Sequence, residues 1–382
     1  MQTAATSCSL VRDAIDCTHE LGVVISRSGK FKSLFTSVAT ELTGSFSSIK
    51  PLCPTRWLCR GPSIQRVLEQ YEAVLQSLER MSTQNTSETT TKVRGLLLRF
   101  QDGVLFLGLE VAMTVIAVLE ELNTALQARD ATVSGMLEAV TNARMQLSQF
   151  RSDDNFQSIL ASADNAVRQL DLKPISLPRQ RRLLRRVSGT AAAYVTPNAE
   201  EHYRAEYFAF IDTALTQLDN RFNPQSRGLA RYLIFEQVLS SGQVPPHTEV
   251  LDTYPELHRP TSRLSVQLSM VKLQFNCSTL SHAKRTLQEM KPEVRAMFSE
   301  VEQLVRLMLL CPVSSCEAER SFSSLRRLKT WLRNTMTQER LNAVVVCHVH
   351  QDVLDNVDIS ELAADFAGRS DIRKSMFGNG PF

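Results

Sequence analysis

Residues 311–336 read CPVSSCEAERSFSSLRRLKTWLRNTM, and the interpretation of the C-terminal quarter of the chain starts from them. An apolar run over residues 304–310 stops at Cys311 and Pro312, since proline lacks the backbone N–H that a helix interior needs. A serine-rich turn follows, and a polar helix begins around residues 317–320. Further on, leucines and Trp331 alternate with basic side chains, and this spacing predicts a helix with one apolar and one basic face.

Two apolar groups in this part of the sequence indicate an interface between protein chains. They are the stripe Leu325, Leu328, Trp331 and Leu332, and the run over residues 341–346 that includes Leu341, Val344 and Val345. About 90 C-terminal residues cannot bury that much apolar surface by themselves, because small domains bury a limited share of their surface. An exposed apolar patch of this kind typically marks an interface, so we expect self-association here; the alternative is that these side chains pack against the rest of the same chain.

The rest of the sequence has a helical pattern. Apolar side chains recur at helical spacing over residues 10–27, 63–80, 92–172, 199–222, 265–275 and 292–304. Residues 104–119 read VLFLGLEVAMTVIAVL and have Glu110 near their middle. A membrane-spanning helix needs about 20 apolar residues without a charge at mid-bilayer. A buried helix of a bundle is therefore the better prediction, and no membrane partner is expected.

Composition limits the function classes. The chain has 382 residues, 43% of them hydrophobic and 22% charged, as in ordinary globular proteins. Its formal net charge of +3 is too mild to indicate a nucleic-acid binder by itself. One local cluster leaves two alternatives open, phosphate neutralisation or a solvated basic linker: Arg179, Arg181, Arg182, Arg185 and Arg186. The eight cysteines form no C-x2-C pair, so we expect reduced thiols and no zinc site.

The stretch over residues 311–336, with the sequence Gln-Glu-Arg-Leu ending at Leu341, resembles the C-terminal dimerisation region of hAT-superfamily transposases. The family pattern is a serine-rich turn, then Glu319 and Arg320, one further residue, and Phe322. Arg56 and Trp57 are similar to the family's Arg-Trp motif, about 260 residues upstream. That distance suits the family's large helical insertion. The subgroup resembled is that of the MYM-type zinc-finger-like relatives.

The resemblance implies an α+β, mainly α fold, in which a partial RNase H-like core is interrupted by a large helical insertion domain. Residues 1–59 would be the remnant of the first half of that core and would carry the Arg-Trp motif. Residues 60–290 would be the insertion domain. Residues 291–382 would contain the C-terminal RNase H-like segment and the dimerisation region.

The resemblance also implies a chemistry that this chain is expected to lack. In the family, two aspartates and one glutamate bind two divalent metals, and the two-metal mechanism needs all three carboxylates. Glu319 would be the glutamate, although a carboxylate near a helix N-terminus is also favoured by the helix dipole alone. Asp13 and Asp16 lie on a predicted amphipathic helix and not on a central strand. Both catalytic aspartates are therefore predicted to be absent, and Glu319 to be vestigial.

The function expected from the resemblance is dimerisation of a transposase-derived protein in the nucleus, with no enzymatic activity and no cofactor. The partner would be a second copy of the chain or a related hAT-type protein, and a contact with DNA is left open. The alternative is a fragment of an active, Mg²⁺-dependent hAT transposase whose catalytic aspartates lie outside this sequence.

Overall fold

The computed structural model describes residues 7–52, 60–83, 88–128, 132–178, 198–223, 227–244, 261–277, 279–310 and 335–378, together with Phe322, Leu325, Arg326 and Leu328. This part of the chain is mainly helical. Its only β-type pairing is an isolated bridge between Asp102 and Lys173. The chain divides into two compact units, Met1–Val313 and Ser314–Phe382.

The helices of the first unit are α1 Ser9–Arg27, α2 Gly29–Thr43, α3 Arg60–Glu69, α4 Tyr71–Ser82, α5 Glu88–Phe100, α6 Gly103–Leu126, α7 Val133–Phe150, α8 Asp153–Gln169, α9 Ala199–Arg221, α10 Arg227–Ser241, α11 Thr261–Phe275, α12 Leu280–Glu289, α13 Pro292–Ala296 and α14 Ser299–Leu310. Those of the second unit are α15 Gln338–Val349, α16 Gln351–Leu354, α17 Ile359–Gly368 and α18 Asp371–Phe377.

Helix α6 is the centre of the first unit. It packs against α1, α3, α7 and α8, and buried apolar side chains occupy most of its circumference. Its length and composition alone would allow it to cross a membrane, but 61% of its apolar window is buried inside the unit. At Gly108 it approaches α1 so closely that an added Cβ would lie 2.9 Å from the Leu10 carbonyl oxygen. The packing is that of a core helix in a bundle.

The helices of the first unit build two apolar cores. One draws its buried side chains from residues 8–222, and the other from residues 235–308. Because α1 and α2 contribute to the larger core together with α3–α9, the packing continues across the predicted domain boundary at residue 59. That boundary and the one at residue 290 stay predictions.

Several helices begin at a carboxylate supplied by a distant helix. The first N–H groups of a helix have no partner within it, and an acidic side chain there also interacts favourably with the helix dipole. Glu206 accepts from the Leu10 N–H, and Glu120 accepts from the Gly61 N–H. Glu236 accepts from the N–H groups of Val133 and Ser134. Each such bond joins the start of one helix to the side of another, and so fixes their relative position.

The prediction of a mainly helical fold is confirmed. The described residues contain no β-strand that would support the predicted α+β, RNase H-like core. The single helix predicted over residues 63–80 is two helices, α3 and α4, which break at Gln70. At this break the buried Gln70 amide makes a tertiary contact: it donates to the Ser47 carbonyl oxygen and accepts from the Ser47 N–H. Residues 227–241, which lie outside the helical patterns identified in the sequence, form helix α10.

Candidate association surface

Helix α14 is held in the first unit by a buried amide. Gln267, on α11, accepts hydrogen bonds from the backbone N–H groups of Glu300 (2.9 Å) and Val301 (3.3 Å), at the start of α14. Further along, Glu302 pairs with Arg295 and Arg306, each at 2.6 Å. The hydrogen bond from Arg295 is the main reason why the pKa of Glu302 lies below its usual range. The inner face of α14 is thus fixed, and its final residue, Leu310, is exposed.

Helix α11 has two opposite apolar faces. Leu264, Leu268 and Val271 are buried in the smaller core. Val266, Met270 and Leu273 are exposed; at 100° per residue, they lie on the other side of the helix. Helix α11 therefore packs on one side only within the described part of this unit.

Helix α15, in the second unit, buries little of its apolar surface. Leu341 is buried, and Val344 and Val345 are half-buried. Val346 and Val349 are exposed, and they lie one helical turn apart. Cys347, between them, is an exposed free thiol.

Helices α17 and α18 form a hairpin at the end of the described chain. Each begins at a side-chain cap: Asp358 accepts from the Ser360 and Glu361 N–H groups, and Ser370 accepts from the Arg373 N–H. The hairpin is closed by aromatic contact, since the rings of Phe366 and Phe377 meet edge-to-face at 6.0 Å between centroids. The Arg373 guanidinium stacks over Phe366, 4.2 Å from the ring centroid.

The second unit leaves many large apolar side chains in water. Those exposed between residues 346 and 377 are Val346, Val349, Val353, Leu354, Val357, Ile359, Leu362, Phe366, Ile372, Met376 and Phe377. Isolated apolar side chains are normal on protein surfaces, but a dense set marks a binding surface. We call the surface formed by the apolar side chains of residues 341–353 the α15 face. It belongs to α15 and to the first residues of α16.

The residues predicted from the sequence divide into three groups. Leu341, Val344 and Val345 lie together on α15; Leu341 is buried and the two valines are half-buried. Leu325 and Leu328 are half-buried, and Phe322 is exposed. The others lie outside the described residues: Arg56, Trp57, Arg179, Arg181, Arg182, Arg185, Arg186, Glu319, Arg320, Trp331 and Leu332.

Residues 291–353 match the family model for the hAT family C-terminal dimerisation region. The chain carries an hAT-family dimerisation region. This relates it to the hAT-family transposases, as the motif over residues 311–336 predicted, and that motif lies inside the matched segment. The hAT dimerisation region also contains α13, α14, the α15 face and all seven predicted dimerisation residues. No solved structure matches the chain.

Sequence reasoning missed several exposed apolar residues that adjoin the predicted interface. The predicted apolar run ended at the exposed Val346, and Val349 and Val353, which lie beyond it, are exposed as well. Their i, i+3, i+7 spacing in the sequence could have revealed them. The hairpin α17–α18 also carries such a pattern, in Ile359, Leu362 and Phe366.

Proposed function

We propose that this chain is a transposase-derived protein that acts through dimerisation, and that the α15 face is part of the contact. The observation that carries the proposal is the exposure of Val346 and Val349 inside a segment that matches an hAT dimerisation region. A transposase-type dimer needs a surface that is apolar, accessible in the single chain and located in that segment. The α15 face has all three properties.

The proposed partner is a second copy of this chain. The alternative partner is a related hAT-type protein. Removing apolar surface from water contributes roughly 25 cal/mol per Å², so an exposed valine gains free energy by meeting another apolar surface. In a symmetric pair the same patch is used by both copies. We therefore expect two-fold pairing in which α15 of one copy contacts the C-terminal unit of the other.

The proposal includes the absence of strand cleavage by this chain alone. Two-metal catalysis needs several carboxylates around two ions. Asp13 and Asp16 are exposed on α1, and Asp13 pairs with the neighbouring Arg12 at 3.6 Å. Among the described residues, no group of three or more His, Cys, Asp and Glu side chains is placed to hold a metal. In this proposal Glu319, which lies outside the described residues, is a vestige of the active site.

The finer expectations rest on the family resemblance. They are a nuclear location, a kinship with the MYM-type relatives, an RNase H-like core, and a DNA contact through the arginine cluster over residues 179–186. The last can be tested through salt dependence, because each phosphate that a protein neutralises on duplex DNA steepens the plot of log affinity against log salt by about 0.9. Replacing Arg181 and Arg182 by glutamine should make that plot less steep if the cluster binds phosphates.

The dimerisation proposal is tested with two differently tagged full-length copies. Capture of one copy by the other should fall severalfold when Val346→Gln and Val349→Gln are combined in both. Leu98→Gln with Met145→Gln is the matched control, since those two side chains are also exposed, on α5 and α7. Alkylation of Cys347 gives a second readout, because a partner over α15 should slow it. Capture that is equal for both double variants would contradict the role of the α15 face.

A further inference from the structure

The exposed apolar surface does not end at residue 353, where the hAT dimerisation region ends. Nine large apolar side chains between residues 353 and 377 are at least 42% exposed. The most exposed are Ile359 (79%) and Met376 (74%). An apolar side chain left so far in water contributes little to the fold of the single chain, so some other contact must account for the pattern.

On α17 the exposed residues share one helical face. Ile359, Leu362 and Phe366 have i, i+3, i+7 spacing, which places them in a single stripe. Ala367 is buried, so α17 already packs on another side. On α18, Ile372 and Met376 are one turn apart and both exposed. The hairpin thus presents an apolar stripe on each of its two helices.

Most charged side chains of the hairpin contact another side chain within it. Arg369 forms an ion pair with Asp365 at 2.5 Å, and Lys374 lies 3.8 Å from Asp371. Arg373 stacks over the Phe366 ring. When a second chain docks here, these charged groups would keep their neighbouring side chains. Docking therefore avoids the cost of desolvating an unpaired charge. An apolar centre with a polar rim is the usual anatomy of a protein interface.

We propose that the hairpin α17–α18, over residues 359–377, extends the dimer contact beyond the hAT dimerisation region and that a second copy of this chain covers it. The inference rests on the proposed function and adds to it a second apolar surface with its own residues. We call this surface the hairpin face and define it by Ile359, Leu362, Phe366, Ile372 and Met376.

Two arguments favour a second copy as the occupant. The first is continuity, since α16 ends at Leu354, only five residues before α17 begins, and the exposed Val357 lies in that connection. The second is area. Residues 353–377 expose nine large apolar side chains, and the α15 face adds Val346 and Val349. One partner in a standard interface buries about 800 Å². The hairpin with the α15 face therefore offers enough surface for a stable dimer.

The test uses the full chain and sedimentation velocity across a concentration series. Leu362→Gln and Met376→Gln are combined in one variant, and Leu98→Gln with Met145→Gln is the control, which changes the same residue types at exposed positions of α5 and α7. Since all four side chains are exposed, both variants should keep the helical circular dichroism of the wild type. We expect the dimer dissociation constant to rise at least tenfold in the hairpin variant and less than twofold in the control.

Other outcomes separate the failure of this inference from that of the proposed function. A wild-type dimer that is weakened by Val346→Gln with Val349→Gln, but not by the hairpin variant, would overturn the inference and leave the proposed function intact. A wild-type monomer at every concentration would overturn both. A dimer that dissociates in 1 M NaCl would also overturn the apolar contact, since high salt screens charges and does not weaken apolar burial.

Discussion

Glu110 is a half-buried carboxyl in the middle of the central helix α6. Burial raises its pKa above the ordinary value of 4.5, and a hydrogen bond with Ser162 opposes that rise. A carboxyl with a raised pKa in the folded state stabilises the fold only while it is protonated. Below pH 4.5 it is protonated in both states. As the pH rises from 4.5 through the folded pKa, the carboxyl ionises first in the unfolded chain. This ionisation favours unfolding, and the stabilising contribution is lost.

The variant Glu110→Gln should therefore be more stable than the wild type at pH 7, since glutamine has no charge to desolvate. The difference should shrink as the pH falls to 4. Thermal unfolding followed by circular dichroism at both pH values measures it. Glu121→Gln, at an exposed position of the same helix, is the control for the removal of a carboxylate charge from α6. An equal effect of Glu110→Gln at both pH values would mean that its carboxyl is not desolvated.

Gly22 marks a contact where only glycine fits. A Cβ at this position of α1 would lie 2.6 Å from the Pro51 nitrogen and 2.7 Å from the Lys50 carbonyl carbon. Both are backbone atoms, so no side-chain rotation can relieve the overlap. Gly22→Ala should lower the free energy of unfolding by about 1–3 kcal/mol, as measured by urea denaturation.

The control for this substitution is Gly95→Ala on α5, where an added Cβ meets nothing within 4 Å. Alanine is favoured over glycine inside a helix by about 0.8–1.0 kcal/mol, so this variant should be at least as stable as the wild type. If Gly22→Ala were equally well tolerated, the close packing of α1 on residues 50–51 would be wrong.

At the scale of elements, the caps supplied by distant carboxylates connect helices that are far apart in sequence. Glu206 accepts from the Leu10 N–H at 3.0 Å and from the Ser9 hydroxyl at 2.6 Å, and so joins α9 to the start of α1. Glu206→Ala should cost about 0.5–2 kcal/mol, the range found for the loss of an N-terminal cap. Urea denaturation beside Glu138→Ala, a glutamate on α7, gives the comparison. Equal stability of the two variants would show that the Glu206 contact adds nothing.

The sequence predicted those elements whose apolar periodicity is strong. Helices α1, α9 and α11 were predicted within a few residues of their observed ends, because their buried side chains repeat every three to four positions. The break at Gln70 could not be predicted, since it depends on a hydrogen-bonded contact with Ser47, 23 residues away. The cap of α1 by Glu206 is 196 residues distant. Such contacts leave no local pattern in the sequence.

For the candidate site, the motif over residues 311–336 was enough to predict the dimerisation region, and the family match confirms that interpretation. The extent of the surface was harder to predict. Val344 and Val346 look alike in the sequence, but one is half-buried and the other exposed, because the packing of α15 decides which side faces water. The hairpin face was missed because a short amphipathic helix such as α17 predicts burial as readily as it predicts association.

At the scale of the whole molecule, we expect no cleavage or joining of DNA strands by this chain in Mg²⁺ or Mn²⁺. The reason is the expectation from the family resemblance that both catalytic aspartates are absent, because a two-metal site needs them beside Glu319. Incubation with supercoiled plasmid, followed by electrophoresis, measures nicking directly. Metal-dependent nicking that Glu319→Gln abolishes would contradict the account and favour the active-transposase alternative.

The central claim is that two copies of this chain associate through their C-terminal apolar surfaces. Sedimentation velocity of the full-length wild type from about 0.1 to 50 µM tests it most directly, because it measures the mass of the associated species. A dimer dissociation constant of about 1 µM corresponds to roughly 8 kcal/mol of association free energy. The account predicts a species of twice the 42.9 kDa chain mass that persists at high salt and disappears when the α15 face and the hairpin face are both made polar. A folded monomer at every concentration would contradict it.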